Sequence, residues 1–448
     1  MSLRSREECL EIADAVLSRV SDGAAAEVIV EDVDSSLTRY ALNAIHQNVA
    51  ESGVLLRLRL MRDGRVGVAT LRGDTAGDAP DRLLRAAEDA RRVAPPEAPP
   101  PLPPPSLAQQ RSTQGEAAWS DATAACTPEQ RADAVAVVTR AAAAGGLQAF
   151  GAVETTARQL AIVNTLGVRQ YARTSVARVT AVARGDAGAG YADRCAAHVG
   201  AIDVDALAAE VVDTASRNQR ATRIEPGDYQ VILAPYAVAD MLEHLAYAGF
   251  GALAKQEARS FMRPGEQLMS ESVSLRDDAG DPAGLPFPFD WEGVTTTPVT
   301  FVDRGVCRDV VYDTPTAIAD STSSTGHALP MPNTEGPLAV HLVMDGGERS
   351  CDQLIGDVER GLYVTRFWYV RDVHPLRTVI TGMTREGTFL IEGGRIGRPV
   401  ADLRFTQSVV GALADVRGIS RERSLEVPEE GSATLAPWLH LGQFHFSS

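Results

Sequence analysis

The stretch GVLLRLRLMRDGRVGVATL, residues 53–71, alternates apolar and polar residues on both sides of Asp63-Gly64. Period-two alternation marks a strand with one buried face, and an Asp-Gly pair supplies the positive φ that a tight two-residue turn requires. The segment reads as a β-hairpin, so antiparallel pairing organises this part of the chain. Upstream, residues 6–20 have helical spacing and AAAEVIVEDVDSS (24–36) alternates like a strand. Downstream, the amphipathic helix DRLLRAAEDARRV (81–93) runs into APPEAPPPLPPP (94–105), a proline tract that reads as an extended, semi-rigid connector.

The same alternation of helix and strand continues. TPEQRADAVAVVTRAAAA (127–144) is a helix, residues 147–185 form a meander turned at Asn164 to Gly167, and VDALAAEVVDTASRNQ (204–219) returns to helix. Composition shifts across NQRATRIEPGD (218–228). Beyond it, apart from a helix at 236–250 and one near CDQLIGDVERGL (351–362), the chain is short strands punctuated by Gly and Pro. The expected fold class is α+β. Residues 1–220 form a mixed N-terminal domain with an antiparallel sheet, and 221–448 a β-rich C-terminal domain with few helices.

Composition narrows the function. The chain has 448 residues, enough for two or three domains, with 44% apolar and 5% aromatic residues. Lys and Arg total 43 against 59 Asp and Glu, a net charge of -16 that repels polyanions and argues against direct nucleic-acid binding. No stretch reaches membrane-spanning length and the charged opening is not a signal peptide, so the expected location is the cytoplasm, with no membrane partner. The five cysteines are scattered and form no CxxC, the usage of reduced structural thiols. There is no GxxxxGK[ST] and no GxSxG.

One helix carries residues with chemical potential. YQVILAP (229–235) is a buried-strand pattern, and VADMLEHLAY (238–247) comes directly after it. Val238, Met241, Leu242 and Leu245 fall on the core face, and Asp240, Glu243, His244 and Tyr247 share the other. That polar face is either an ordinary solvated face or an acid–base site. A zinc hydrolase needs two ligands on one helix face and a glutamate for the water, as HExxH supplies. His244 is the only histidine on this helix, so the pattern encodes no complete metal site. His440 and His445, five apart in a strand, point to opposite faces.

Several motifs together carry a resemblance. They are residues 35–71, NTLGVRQYARTSVARV (164–179), EPGDYQVILAPYAV (225–238), FDWEGV (289–294), LPMPN (329–333), RGLYVTRFW (360–368), FLIEGGRIGRPV (389–400) and APWLHLGQFHFSS (436–448). In this order, over nearly the whole chain, they resemble the TldD/PmbA family. The resemblance implies a zinc metalloprotease system in which the TldD subunit bears HExxxH on the helix after the YQVILAP-like strand. That spacing is one residue longer than HExxH, so such a helix must widen locally.

Set against the motif, Glu243 stands at the first histidine, His244 at the glutamate and Ala248 at the second histidine. The family's cysteine ligand near the C-terminus is missing too, since SLEVPEEGSATLAP (424–437) lies where it is expected. The resemblance is to the TldE, or PmbA, type of subunit. It implies no metal or cofactor in this chain, zinc in a TldD-type catalytic partner, a heterodimer, and unfolded or extended peptides as substrates. Arg39, Asn43 and His46, with Asp290 and Glu292, fall in family motifs. They are candidates for substrate or interface contacts, or for structural hydrogen-bond and turn groups. A stand-alone hydrolase using Glu243 and His244, and a homodimeric peptide-binding protein of a biosynthetic pathway, are the alternatives.

Overall fold

The computed structural model describes residues 3–73, 75–96, 101–108, 118–427 and 433–447. The first sheet contains β1 (Ala25–Ala41), β2 (Ala44–Arg62), β3 (Arg65–Arg72), β4 (Gln148–Asn164), β5 (Arg169–Arg184) and β6 (Ala189–Ala196). All pair antiparallel, in the order β3-β2-β1-β4-β5-β6. The turn between β2 and β3 falls at Asp63 and Gly64, with φ of 54° and 67°, and pairs Arg62 with Arg65. A second turn with two positive φ values, at Leu42 and Asn43, joins β1 to β2. Its sequence lacks the glycine that makes such turns legible.

Helices cover one face of this sheet. They are α1 (Arg6–Leu17), α2 (Ala79–Val93), α3 (Asp121–Ala124), α4 (Pro128–Ala144) and α5 (Val204–Arg217). Capping boxes at Ser5/Glu8 and Thr127/Gln130 start α1 and α4. Val28 and Val30 of β1 pack under α1 and α2, whereas Ile29, on the opposite face, packs with Leu160, Ile162 and Phe289. Strand periodicity thus sends alternate residues to the helices and to the second half of the chain. The proline tract is no free spacer: Leu102 and Pro103 are buried, and Asn164 Nδ2 donates to the Pro103 carbonyl at 3.1 Å. Residues 97–100 of that tract lie outside the described residues.

The second sheet is larger and mixed. Its strands are β7 (Gly227–Leu233), β8 (Leu275–Asp277), β9 (Val299–Asp303), β10 (Val306–Cys307), β11 (His341–Met344), β12 (Arg360–His374), β13 (Val379–Glu392), β14 (Arg395–Val400), β15 (Arg404–Ser408), β16 (Val416–Glu426) and β17 (Ala433–Phe446). Because β17 pairs with β15 and also with β7, strands β7, β12, β13, β15 and β17 close on themselves. The apolar ring so formed, with Val231, Leu233, Val364, Phe367, Phe405, Leu439 and Phe444 buried, receives the helix α6 (Pro235–Leu245). The expected α+β class holds: one antiparallel sheet under helices, then a strand-dominated second half.

Candidate functional site

Helix α6 begins where the apolar strand β7 ends, with Pro235 in its first turn. Val238, Met241, Leu242 and Leu245 are each no more than 1% exposed, as the spacing predicts. The helix expected over 236–250 is not α-helical throughout: after Leu245 the chain makes a π turn, Ala246–Phe250. A π turn holds an extra residue per turn and so widens the helix where a five-residue spacing falls. Two contacts fix it. Phe250 stacks on Phe301 with centroids 4.1 Å apart, and Gly249 lies so near Phe261 that a Cβ there would stand 2.5 Å from the ring.

The polar side of α6 faces a cleft of about 710 Å³ between the two sheets. Asp240, Glu243, His244 and Tyr247 line one wall. His244 Nδ1 lies 3.1 Å from Asp372 Oδ1 on β12. Burial opposes the imidazolium, but the Asp372 hydrogen bond and the charges of Asp372, Asp240 and Glu243 outweigh it, so the His244 pKa is raised. The opposite walls come from β5, β6, β12, β13 and β16. Arg178 bonds Asp193 at 2.9 Å, and Glu386 takes Arg366 at 2.6 Å and Arg385 at 2.9 Å. The Arg366 guanidinium lies 4.0 Å from the Tyr191 ring centroid, and that of Arg385 4.4 Å from Trp368. Such paired charges and aromatic faces suit a polar, extended ligand better than an apolar one.

The other residues singled out in the sequence lie elsewhere. Arg39 and His46 are exposed on the β1–β2 hairpin. Asn43 sits in its turn at φ 61°, where its side chain donates to the Leu147 carbonyl and accepts from the Ala149 amide. That is structural work a short amide performs well in left-handed backbone. Asp290 and Glu292 are 5% and 3% exposed and do not line the cleft. Asp290 accepts from the amides of Glu292, Val294 and Ala328, and Glu292 accepts from the Thr314 amide and lies 3.9 Å from Arg59, which also bonds Glu27. Burial raises both carboxyls, and the Asp290 charge raises Glu292 further.

Whether a metal fits can be asked of the donor set. Ala248 offers no donor atom and is 4% exposed, packed in the core. Glu243 and His244 are adjacent, so their side chains diverge by about 100° around the helix. Among the described residues no group of three or more His, Cys, Asp or Glu side chains is placed to hold a metal ion. His440 and His445 are apart, one buried against Gln230 and the other exposed beside Asp228. The residues do not fit a family zinc, and no chemical step runs through one here. All five cysteines are unpaired.

Residues 226–448 match the PmbA/TldA metallopeptidase C-terminal domain. A protein described as a metalloprotease, from Methanothermobacter thermautotrophicus, is 23% identical over 50% of each chain. An uncharacterized protein of Methanocaldococcus jannaschii is 29% identical over 28% of this chain and 31% of its own. The chain thus spans half or less of the curated relatives it matches. In solved structures, TldE from Thermococcus kodakarensis superposes with a TM-score of 0.86 at 19% identity, covering 99% of both chains. A Thermotoga maritima protein described as a candidate modulator of DNA gyrase gives 0.83 at 18% identity, covering 99% of this chain and 100% of its own. At these identities the likeness is one of fold. No helix among the described residues is long and apolar enough to cross a membrane.

Proposed function

Because this chain belongs to the TldD/PmbA family, we propose that it is the TldE-type, non-catalytic subunit of a two-component zinc metallopeptidase. In this reading a TldD-type partner holds the zinc, and this chain completes the chamber in which unfolded or extended peptides are cut. The observation that carries the reading is α6 itself. The strand, the helix and the widened turn of a metalloprotease helix are present, while Glu243, His244 and Ala248 stand at the ligand positions.

The cleft has a defined part in this reading. Arg178, Arg366 and Arg385 stand beside Asp193, Asp372 and Glu386, so both signs of charge face the space. Such a lining accepts the carbonyls and amides of a peptide main chain with little regard to sequence, and Tyr191 and Trp368 add flat faces for side chains. A soluble assembly in the cytoplasm accords with the net charge of -16.

The test is zinc content and peptidase activity of the purified chain, alone and mixed with an HExxxH-bearing homologue from the same source. We expect no zinc in this chain, an inactive homologue alone and activity in the mixture. Full activity of the homologue alone, or stoichiometric zinc in this chain, would overturn the reading. A second reading, metal-free hydrolysis, draws on the His244–Asp372 pair, which has the form of a base with its orienting carboxylate. In that case His244→Ala abolishes a chelator-resistant hydrolysis that the unaltered chain performs alone.

A further inference from the structure

Beside the cleft lies a second hollow of about 250 Å³ that shares Tyr236 and Glu426 with it. Its walls are aromatic: Tyr236, Tyr363, Phe389 and Trp438. The Trp438 indole N–H donates to the Tyr363 hydroxyl at 3.2 Å, which fixes both rings. The charged groups around it are paired, with one exception. Arg194 is bonded to Glu210, and both also bond the Tyr236 hydroxyl, at 2.6 and 3.0 Å. At the exposed rim Arg217 pairs with Asp213 at 3.4 Å.

Glu426 is the exception. It is 4% exposed, and among the described residues its Oε1 has no hydrogen-bond partner. Burial holds this carboxyl well above the ordinary carboxylate range; the Ser424 hydroxyl opposes the shift and the neighbouring Asp193 adds to it. The titratable groups around it are Tyr191, Asp193, Arg194 and Cys195 on β6, Arg178 on β5, Glu210 on α5 and Tyr236 on α6.

We propose that this hollow is a side-chain pocket for a lysine or arginine of a peptide lying in the adjacent cleft, with Glu426 receiving the cationic head. The proposal rests on the peptide-holding role of the cleft and names the side chain that role selects. With Glu210 and Asp213 already matched to arginines, Glu426 leaves the hollow one negative charge in excess when ionised. A cation seated there restores balance, and the carboxyl proton passes to solvent as the ion pair forms. Aromatic walls suit the rest of such a side chain, since methylenes pack on ring faces and cations are drawn to them.

Calorimetric titration of the full chain with short acetylated, amidated alanine peptides carrying one central lysine, norleucine or glutamine tests this. Norleucine keeps the stem and removes the charge. We expect the lysine peptide to bind about tenfold or more tightly than the norleucine peptide. Glu426→Gln should abolish that preference and leave norleucine binding unchanged. Equal binding of lysine and norleucine peptides, glutamine binding as well as lysine, no binding of any, or a preference that survives Glu426→Gln would each overturn the proposal. The wild-type lysine-to-norleucine ratio decides even if the variant does not fold. Activation of the HExxxH-bearing homologue is a separate readout. Lysine preference without activation keeps the pocket and removes the subunit reading, and activation without preference does the reverse.

Discussion

Two clusters of arginines and carboxylates, built from the same groups, behave differently in this molecule. Around Arg59, the carboxyls of Glu27 and Glu292 are sealed between the first sheet and the segment at 289–294, with Arg59 1% exposed. Around Glu386, Arg366 and Arg385 border the open cleft and lie against aromatic rings. The first joins the two halves of the chain and is worth most when every member is present. The second sets its arginines along the wall of the cleft. Burial, rather than residue type, separates a sealed joint from a cleft wall.

The contrast is broken most strongly by Arg59→Ala, which strands two buried carboxyls; urea unfolding should register a loss of about 3–5 kcal/mol. Next, Ala248→His forces an imidazole into a packed position and should cost about 1–3 kcal/mol in the same measurement, without creating tight zinc binding by the isolated chain. Asn43→Ala removes two backbone-directed hydrogen bonds at a left-handed position and should cost about 1–2 kcal/mol, whereas His46→Ala, in an exposed strand beside it, should stay within about 0.5 kcal/mol.

Acidity sharpens the comparison. Burial raises the Asp290 and Glu292 carboxyls, so the folded chain keeps protons that the unfolded chain has lost. The stability they lend is whole below the ordinary carboxylate range and is lost as pH rises through the raised values. Glu292→Gln should therefore flatten the decline in stability between about pH 5 and about pH 8, measured by thermal unfolding across that range. In the cleft, Arg385→Ala should change stability by no more than about 1 kcal/mol and register instead in peptide binding.

How far the sequence spoke depended on the range of the interaction. Asp63-Gly64 and the apolar stripe from Val238 to Leu245 are local signals, and each corresponds to an element in the structure. The closed ring was not legible, because β7 meets β17 across more than two hundred residues of intervening chain and no local pattern encodes that pairing. The cleft was legible on one wall only. His244 was visible on its helix, but Asp372, Glu386 and Asp193 come from strands whose polar residues read as ordinary solvent faces. Asp290 and Glu292 in FDWEG read either as substrate or interface contacts or as structural hydrogen-bond and turn groups, and a turn is there in the Asp290 Oδ1 bonds to the Glu292 and Val294 amides. That it is buried against Arg59 depends on a strand far away in sequence.

The π turn at Ala246–Phe250 also sets the rotational phase of the chain beyond Leu245. One extra residue in a helix offsets all later side chains by about 100°, so that segment is turned relative to the face that looks into the cleft. Deleting a single residue from this turn would restore a regular helix and swing Phe250 off Phe301, disturbing the core while leaving Glu243 and His244 where they stand. The widened turn is thus a phase joint, and the cleft face and the core face of one short helix can change independently on either side of it.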